Sequence, residues 1–259
     1  MKYENILFKK EDTTVTITFN RPKVLNAMTT QSWSELHLAI LELKKFPQVK
    51  VVILRGAGDR AFSAGVDLKA RQKILSNADG KTGQAIHECC RALMQSTKIA
   101  VGVVQGYCLG GALELLLACD YSLATEDAVF SLPEMKLGLP CVVEAALLVP
   151  AVGLAKAKEI CYLARNYDAH QAEKMGIVNE VVKKDELERR LSDIIREFSD
   201  KDATALAVQK DIIYKWLTTD LETAMQYSTL AANLCHGSPA QTEAVKTFLE
   251  KRKRKGVKK

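Results

Sequence analysis

The chain has 259 residues, 47% of them hydrophobic and 26% charged. That is the balance of an ordinary globule, with room for one large domain or a domain plus a small appendage. Its apolar runs are too short for a membrane span. The start, Met1-Lys-Tyr-Glu-Asn-Ile6, has neither a signal-peptide core nor the acid-poor, arginine-rich make-up of a transit peptide, so a cytoplasmic protein away from membranes is expected. The formal charge of +6 is a property of the tail: Lys251–Lys259 carries seven positive charges and no acid, and without them the remainder falls to −1. A near-neutral body argues against a nucleic-acid surface, and a solvated tail accounts for the basic end. The seven cysteines, at 89, 90, 108, 119, 141, 161 and 235, show neither a CxxC pair nor metal-like Cys/His spacing. They read as reduced thiols, with no metal expected.

In chain order, Val15-Thr-Ile-Thr-Phe19 alternates like a strand, with Tyr3–Phe8 as its neighbour. Asn20-Arg-Pro22 is a turn and Leu25-Asn-Ala-Met28 a short apolar loop. Thr29 or Thr30 caps a helix carrying Trp33, Leu36, Leu38, Ile40, Leu41 and Leu43. Val51–Leu54 is a buried strand, followed by the loop 55–60. Ala61-Phe-Ser-Ala-Gly-Val-Asp-Leu68 is small and glycine-bearing, so its backbone can approach a ligand closely. Residues 70–82 read as polar and mobile, and 83–96 as helical. Beyond Asp120 come a strand at Tyr121–Ala124, an extended stretch ending at Pro133, and a helix over 142–149. The remaining helices are expected at 153–164, 168–175, 184–199, 203–217, 220–235 and 238–251, with a strand at Ile177–Val182. The pattern divides the chain into an α/β region, 1–195, and an all-helical region with the basic tail, 196–259.

The stretch on which the chain centres is Ile99-Ala-Val-Gly-Val-Val104 followed by Gly106-Tyr-Cys-Leu-Gly-Gly-Ala-Leu-Glu114. A buried strand, a glycine pair and a helix start put free backbone N–H groups where a developing oxyanion is favoured. Glu114 lies one turn into that helix, between Leu113 and Leu115. Such a carboxylate either faces solvent or a basic partner, or sits in a cleft with a shifted pKa and a chemical role. The residues alone leave both open.

Ala61–Lys69, Gly106–Leu115, Ala118-Cys-Asp120 and Phe130-Ser-Leu-Pro-Glu134 together resemble the enoyl-CoA hydratase/isomerase (crotonase) family. Asn20-Arg-Pro22, Leu25-Asn-Ala27, Ala172–Asn179 and Phe248–Arg252 extend the resemblance over nearly the whole chain. It implies an α/β spiral of ββα turns with a C-terminal helical trimerisation region. It also implies a homotrimer or dimer of trimers, and an acyl-CoA substrate whose coenzyme A enters as part of the thioester, with no other cofactor. The family's oxyanion-hole amides map to Val66 and Gly111. Its two catalytic glutamates map to Glu114 and Glu134, both retained, which favours reversible hydration of a 2-enoyl-CoA as in β-oxidation of fatty acids. The alternative is another reaction of the same kind, an enoyl-CoA isomerisation or the dehydration of an unusual hydroxyacyl-CoA. CoA contacts carried over are Leu25, Ala27, Ala64, Asp67, Leu68, Phe248 and Lys251.

The sequence departs from the family where a glycine-rich Pro-Gly-Ala-Gly-Gly turn is usual: here it reads Leu139-Pro-Cys-Val-Val-Glu-Ala145. Glu144 is read as a helix N-terminal acid favoured by the dipole, in preference to a third polar group in the site. His37 and His170 are expected at the surface, and Cys108 and Tyr107 as packed residues. His87 and Cys90, three apart on a helix, could face the acyl pocket.

Overall fold

The computed structural model describes residues 3–72 and 81–256. The expected mobile stretch, 70–82, falls largely on 73–80, outside the described residues. Period-two patterning builds the first hairpin. In β2 (Thr14–Phe19), Val15, Ile17 and Phe19 are buried while the threonines between them face outward. β1 (Ile6–Glu11) pairs with it antiparallel, from Ile6 opposite Phe19 to Glu11 opposite Thr14. Helix α1 (Thr30–Glu42) starts at a capping box in which Thr29 and Ser32 bond each other's backbone N–H. It buries Trp33, Leu36, Ala39 and Ile40. Leu38 and Leu41, expected with them, lie on the opposite face and are exposed.

Three successive turns of chain then follow one plan: a long strand, a short strand and a helical segment. The first is β3 (Val51–Gly56), β4 (Ala61–Ser63), then α2 (Leu68–Gln72) and α3 (Lys81–Met94). The second is β5 (Ile99–Val104), β6 (Tyr107–Leu109) and α4 (Gly111–Leu117). The third is β7 (Tyr121–Thr125), β8 (Val129–Ser131), and two 3-10 turns at Glu134–Leu137 and Val143–Leu147, then α5 (Leu148–Val152) and α6 (Leu154–Leu163). The short strands β9 (Tyr167–Asp168) and β10 (Glu180–Val182) flank α7 (Ala169–Met175). Long strands join a six-stranded sheet in the order β1-β2-β3-β5-β7-β10, and short ones a four-stranded sheet in the order β4-β6-β8-β9. All six residues of β5 are buried, as expected for a central parallel strand covered on both faces. This is the α/β spiral of ββα turns implied by the resemblance.

Two elements differ from the pattern reading. The helix expected over 142–149 is a 3-10 turn and then α5, because Val143 takes a left-handed φ of 41° that interrupts regular α-geometry. The strand expected over 177–182 narrows to β10, since Asn179 is occupied with Ser122: it accepts that residue's N–H and donates its own N–H to the hydroxyl.

The chain forms two compact units, Met1–Ser199 and Asp200–Lys259. The first ends in α8 (Leu187–Ser199). The second is helical: α9 (Ala203–Thr218), α10 (Leu221–Ala232) and α11 (Pro239–Gly256), with Asp202 and Asp220 as caps of the first two. Among the described residues no helix is long and apolar enough to cross a membrane, and no cluster of His, Cys, Asp and Glu could hold a metal ion.

Candidate active site

The site is assembled where the three ββα turns meet at the N-terminal end of α4. Gly110 precedes that helix at φ 56° and ψ −131°, a conformation open to glycine and hostile to most residues. Its N–H donates to the Ser131 carbonyl at 2.9 Å, which ties β6 to β8. A Cβ at Gly110 would lie 2.7 Å from Glu134 Oε1, so the Glu134 carboxylate rests directly over this bend. Gly111 opens α4, and the N–H of a first helical residue has no intrahelical acceptor.

The second backbone donor comes from the loop after β4. Met28 and Val66 form a parallel bridge. Its hydrogen bonds run from Met28 N–H to Gly65 O at 2.8 Å and from Asp67 N–H to Met28 O at 2.9 Å, so the N–H of Val66 takes no part in it. Gly65, at φ 79°, is packed so closely that a Cβ there would lie 2.5 Å from Leu109 O and 3.4 Å from Gly111 N. The Gly65 turn that leads into Val66 is thus held against the start of α4.

Hydrogen bonds link several of the residues expected to line CoA. Ala64 N–H donates to Leu25 O at 2.9 Å. Arg21 pairs with Asp67 at 2.8 Å and donates to the Ala27 carbonyl. Asn26 is buried in the left-handed region at φ 53°; its amide donates to Ala57 O and Ala61 O, and its carbonyl accepts from Ser63 Oγ. Leu25, Ala27, Ala64, Asp67 and Leu68 therefore lie along one seam, with Leu68 half exposed. Burial opposes the Asp67 charge, but the Ala70 N–H and Arg21 outweigh it and hold the carboxyl below its ordinary range. Phe248 and Lys251 lie on α11 in the second unit, where Phe248 is exposed.

The two glutamates differ in surroundings. Glu114 is buried in α4, and its pKa is pushed up to about 8, by burial first and then by the charges of Glu134 and Glu144, against the pull of the Ala145 backbone N–H. Glu134 begins the turn Glu134–Leu137. Burial raises it too, offset by its own backbone N–H and by the Cys141 thiol, which donates to Oε2 at 3.6 Å. Two repelling carboxylates of this kind hold a proton as a pair near neutrality. A proton donor, a proton acceptor and two backbone amides at one place can add to or deprotonate an acyl chain while its carbonyl oxygen carries negative charge.

The altered loop contributes more than its sequence suggests. Glu144 is in the first turn of its 3-10 helix, as read, but it is only 5% exposed. Its charge acts on Glu114, and its Oε1 lies 2.7 Å from His87 Nδ1 on α3. The helix-start reading stands, and to it the structure adds burial: packing on α3 and α4 carries this turn inward. The signal available in the sequence was the replacement of the usual glycines by Cys141, Val143 and Glu144. His37 is partly exposed and His170 exposed at its side chain, while Cys108 is buried, as expected. Tyr107 is not packed; it is 42% exposed because alternation in β6 turns Cys108 inward and its neighbour out.

Comparison with known proteins covers nearly the whole chain. The family described as enoyl-CoA hydratase/isomerase matches residues 9–256. The chain is 31% identical to a short-chain-enoyl-CoA hydratase of Clostridium acetobutylicum, covering 100% of this chain and 99% of that one. It is 32% identical to a crotonyl-CoA hydratase of Syntrophomonas wolfei, covering 98% of each. Among solved structures, an enoyl-CoA hydratase from Bacillus anthracis superposes with a TM-score of 0.91 at 28% identity, over 96% of this chain and 97% of that one. By this likeness over its full length, the chain belongs to the enoyl-CoA hydratase/isomerase family.

Proposed function

We propose that this protein is an enoyl-CoA hydratase that adds water reversibly across the 2,3 double bond of a short 2-enoyl-CoA. The observation that carries the reading is the retention of both Glu114 and Glu134 beside the Val66 and Gly111 amides. The thioester oxygen accepts from those two N–H groups, and one such donor is worth about 3–4 kcal/mol of barrier in comparable holes. One glutamate, ionised, takes a proton from water as the hydroxyl bonds to Cβ. The π electrons move onto the thioester oxygen as an enolate, and the other glutamate, protonated, delivers its proton to Cα. The pair enters and leaves the reaction with one proton, carried at the end by the opposite member. Coenzyme A enters only as part of the substrate. Leu25, Ala27, Ala64, Asp67 and Leu68 would line its path; the resemblance alone assigns Phe248 and Lys251 to the nucleotide, often from a neighbouring subunit.

The exposed apolar residues of the second unit, Leu221, Leu230 and Leu234 among them, support self-association through this helical region, as a trimer or a pair of trimers. The seven cysteines are all unpaired, in keeping with a reducing cytoplasm.

The test is loss of the 2-enoyl thioester absorbance on mixing with crotonyl-CoA. The protein should consume it rapidly, and Glu114→Gln and Glu134→Gln should each slow kcat by at least about 10²-fold. No consumption by a folded protein that binds CoA esters, with a 3-enoyl-CoA isomerised instead, would replace hydration by double-bond migration.

A further inference from the structure

The proton inventory of the hydration cycle rests on the reading just given. Whichever glutamate is donor and whichever acceptor, Glu114 ends each turnover in the opposite protonation state. It must gain or lose one proton before the next turnover. Glu114 is 3% exposed, so direct exchange with bulk water is poor.

One polar route leads outward from its neighbourhood. Glu144 lies on a turn that packs directly against α4, the helix that carries Glu114, and its charge is felt at Glu114. Glu144 is 5% exposed, and one of its oxygens, Oε2, is buried without a hydrogen-bond partner among the described residues. A buried carboxylate oxygen left unpartnered is costly, and it leaves an acceptor open on the turn that packs against α4. Its other oxygen is held at 2.7 Å by His87 Nδ1, and the His87 side chain is 55% exposed. The remaining titratable groups coupled to Glu144 are the buried thiols of Cys89 and Cys90 on the same helix as His87. Burial holds both thiols neutral, so they carry no proton traffic. An imidazole ring has two nitrogens, so it can take a proton at one and give a proton from the other.

We infer that His87 and Glu144 form a proton-exchange pair that resets Glu114 between turnovers, with His87 as the solvent contact and Glu144 as the buried relay. His87 takes up a proton from water and donates Nδ1–H to Glu144, which passes one proton to Glu114; for the opposite direction of reaction each transfer runs backwards. Glu134 exchanges its own proton with water in the opposite sense, so no proton is consumed overall. Both residues act through Glu114 and are positioning residues.

The experiment is steady-state hydration of crotonyl-CoA by the wild type, His87→Gln and Glu144→Gln, with circular dichroism confirming the fold of each. Resetting follows product release. Slowing it should therefore lower kcat by about tenfold and lower KM in proportion, leaving kcat/KM within about twofold. Added imidazole should restore kcat in His87→Ala at constant pH. A merely structural role predicts instead that kcat/KM falls with kcat and that imidazole does nothing; either result overturns the inference. An unchanged kcat overturns it as well, showing that water left between Glu114 and Glu134 suffices. If the wild type itself fails to hydrate crotonyl-CoA, the hydratase reading fails and the inference falls with it.

Discussion

At Glu114, burial and charge repulsion act in the same direction, and the consequence is a measurable cost to the fold. The folded-state pKa of about 8 lies above the value near 4.3 of an unfolded chain, so the native state binds this proton more tightly. The associated stability is fully present below the unfolded value and is lost as pH rises through 8. Glu114→Gln removes the titration while keeping shape. Its melting temperature should match the wild type near pH 4.5 and exceed it increasingly up to pH 8.5, as thermal scans across that range would record. A constant difference at all pH values would show that Glu114 ionises freely. The residue was legible in the sequence as a carboxylate in an apolar helix. The burial of Glu144 was not, because it is decided by how its turn packs between α3 and α4, which no local spacing encodes.

Among the elements, the approach of the loop after β4 to the start of α4 matters most. Gly65 permits it, at φ 79° with Leu109 O and Gly111 N where a side chain would stand. Gly65→Ala has to push these two segments apart, which separates the Val66 and Gly111 amides. Activity on crotonyl-CoA should fall by at least about 10²-fold in kcat/KM, comparable to losing one oxyanion donor, while far-ultraviolet circular dichroism stays native. Wild-type kinetics in that variant would mean that the amides do not act together. The glycine pair before α4, the central strand β5 and the alternating β2 were all readable from the chain. The short strands β4, β6 and β9 were not read as strands: two or three residues carry too little periodicity, and they are extended because a second sheet already offers partners.

For the molecule as a whole, the second unit carries apolar side chains that its own helices do not cover. Leu221, Leu230 and Leu234 are 76%, 69% and 70% exposed, far more apolar surface than a solitary helical unit usually shows. Light scattering should give three or six times the 28.6 kDa of one chain, and Leu230→Asp with Leu234→Asp should reduce it toward one. A monomeric wild type would refute the trimer. The helices of this unit were legible from their caps, Asp202 and Asp220, but the identity of what covers their faces is not written in any one chain.

The sheets constrain how copies can meet. At one edge of the large sheet, β1 presents Lys9, Lys10 and Glu11 to solvent. At the other edge, β10 is three residues long and Glu180 is engaged by Arg190 and Tyr121. In the small sheet the outermost strands are β4, of three residues, and β9, of two. Charged or very short margins offer little template for adding a foreign strand. Strand-to-strand addition, the route to fibrous aggregates, is therefore blunted at every border, and association is left to helical faces, which can close on themselves and stop.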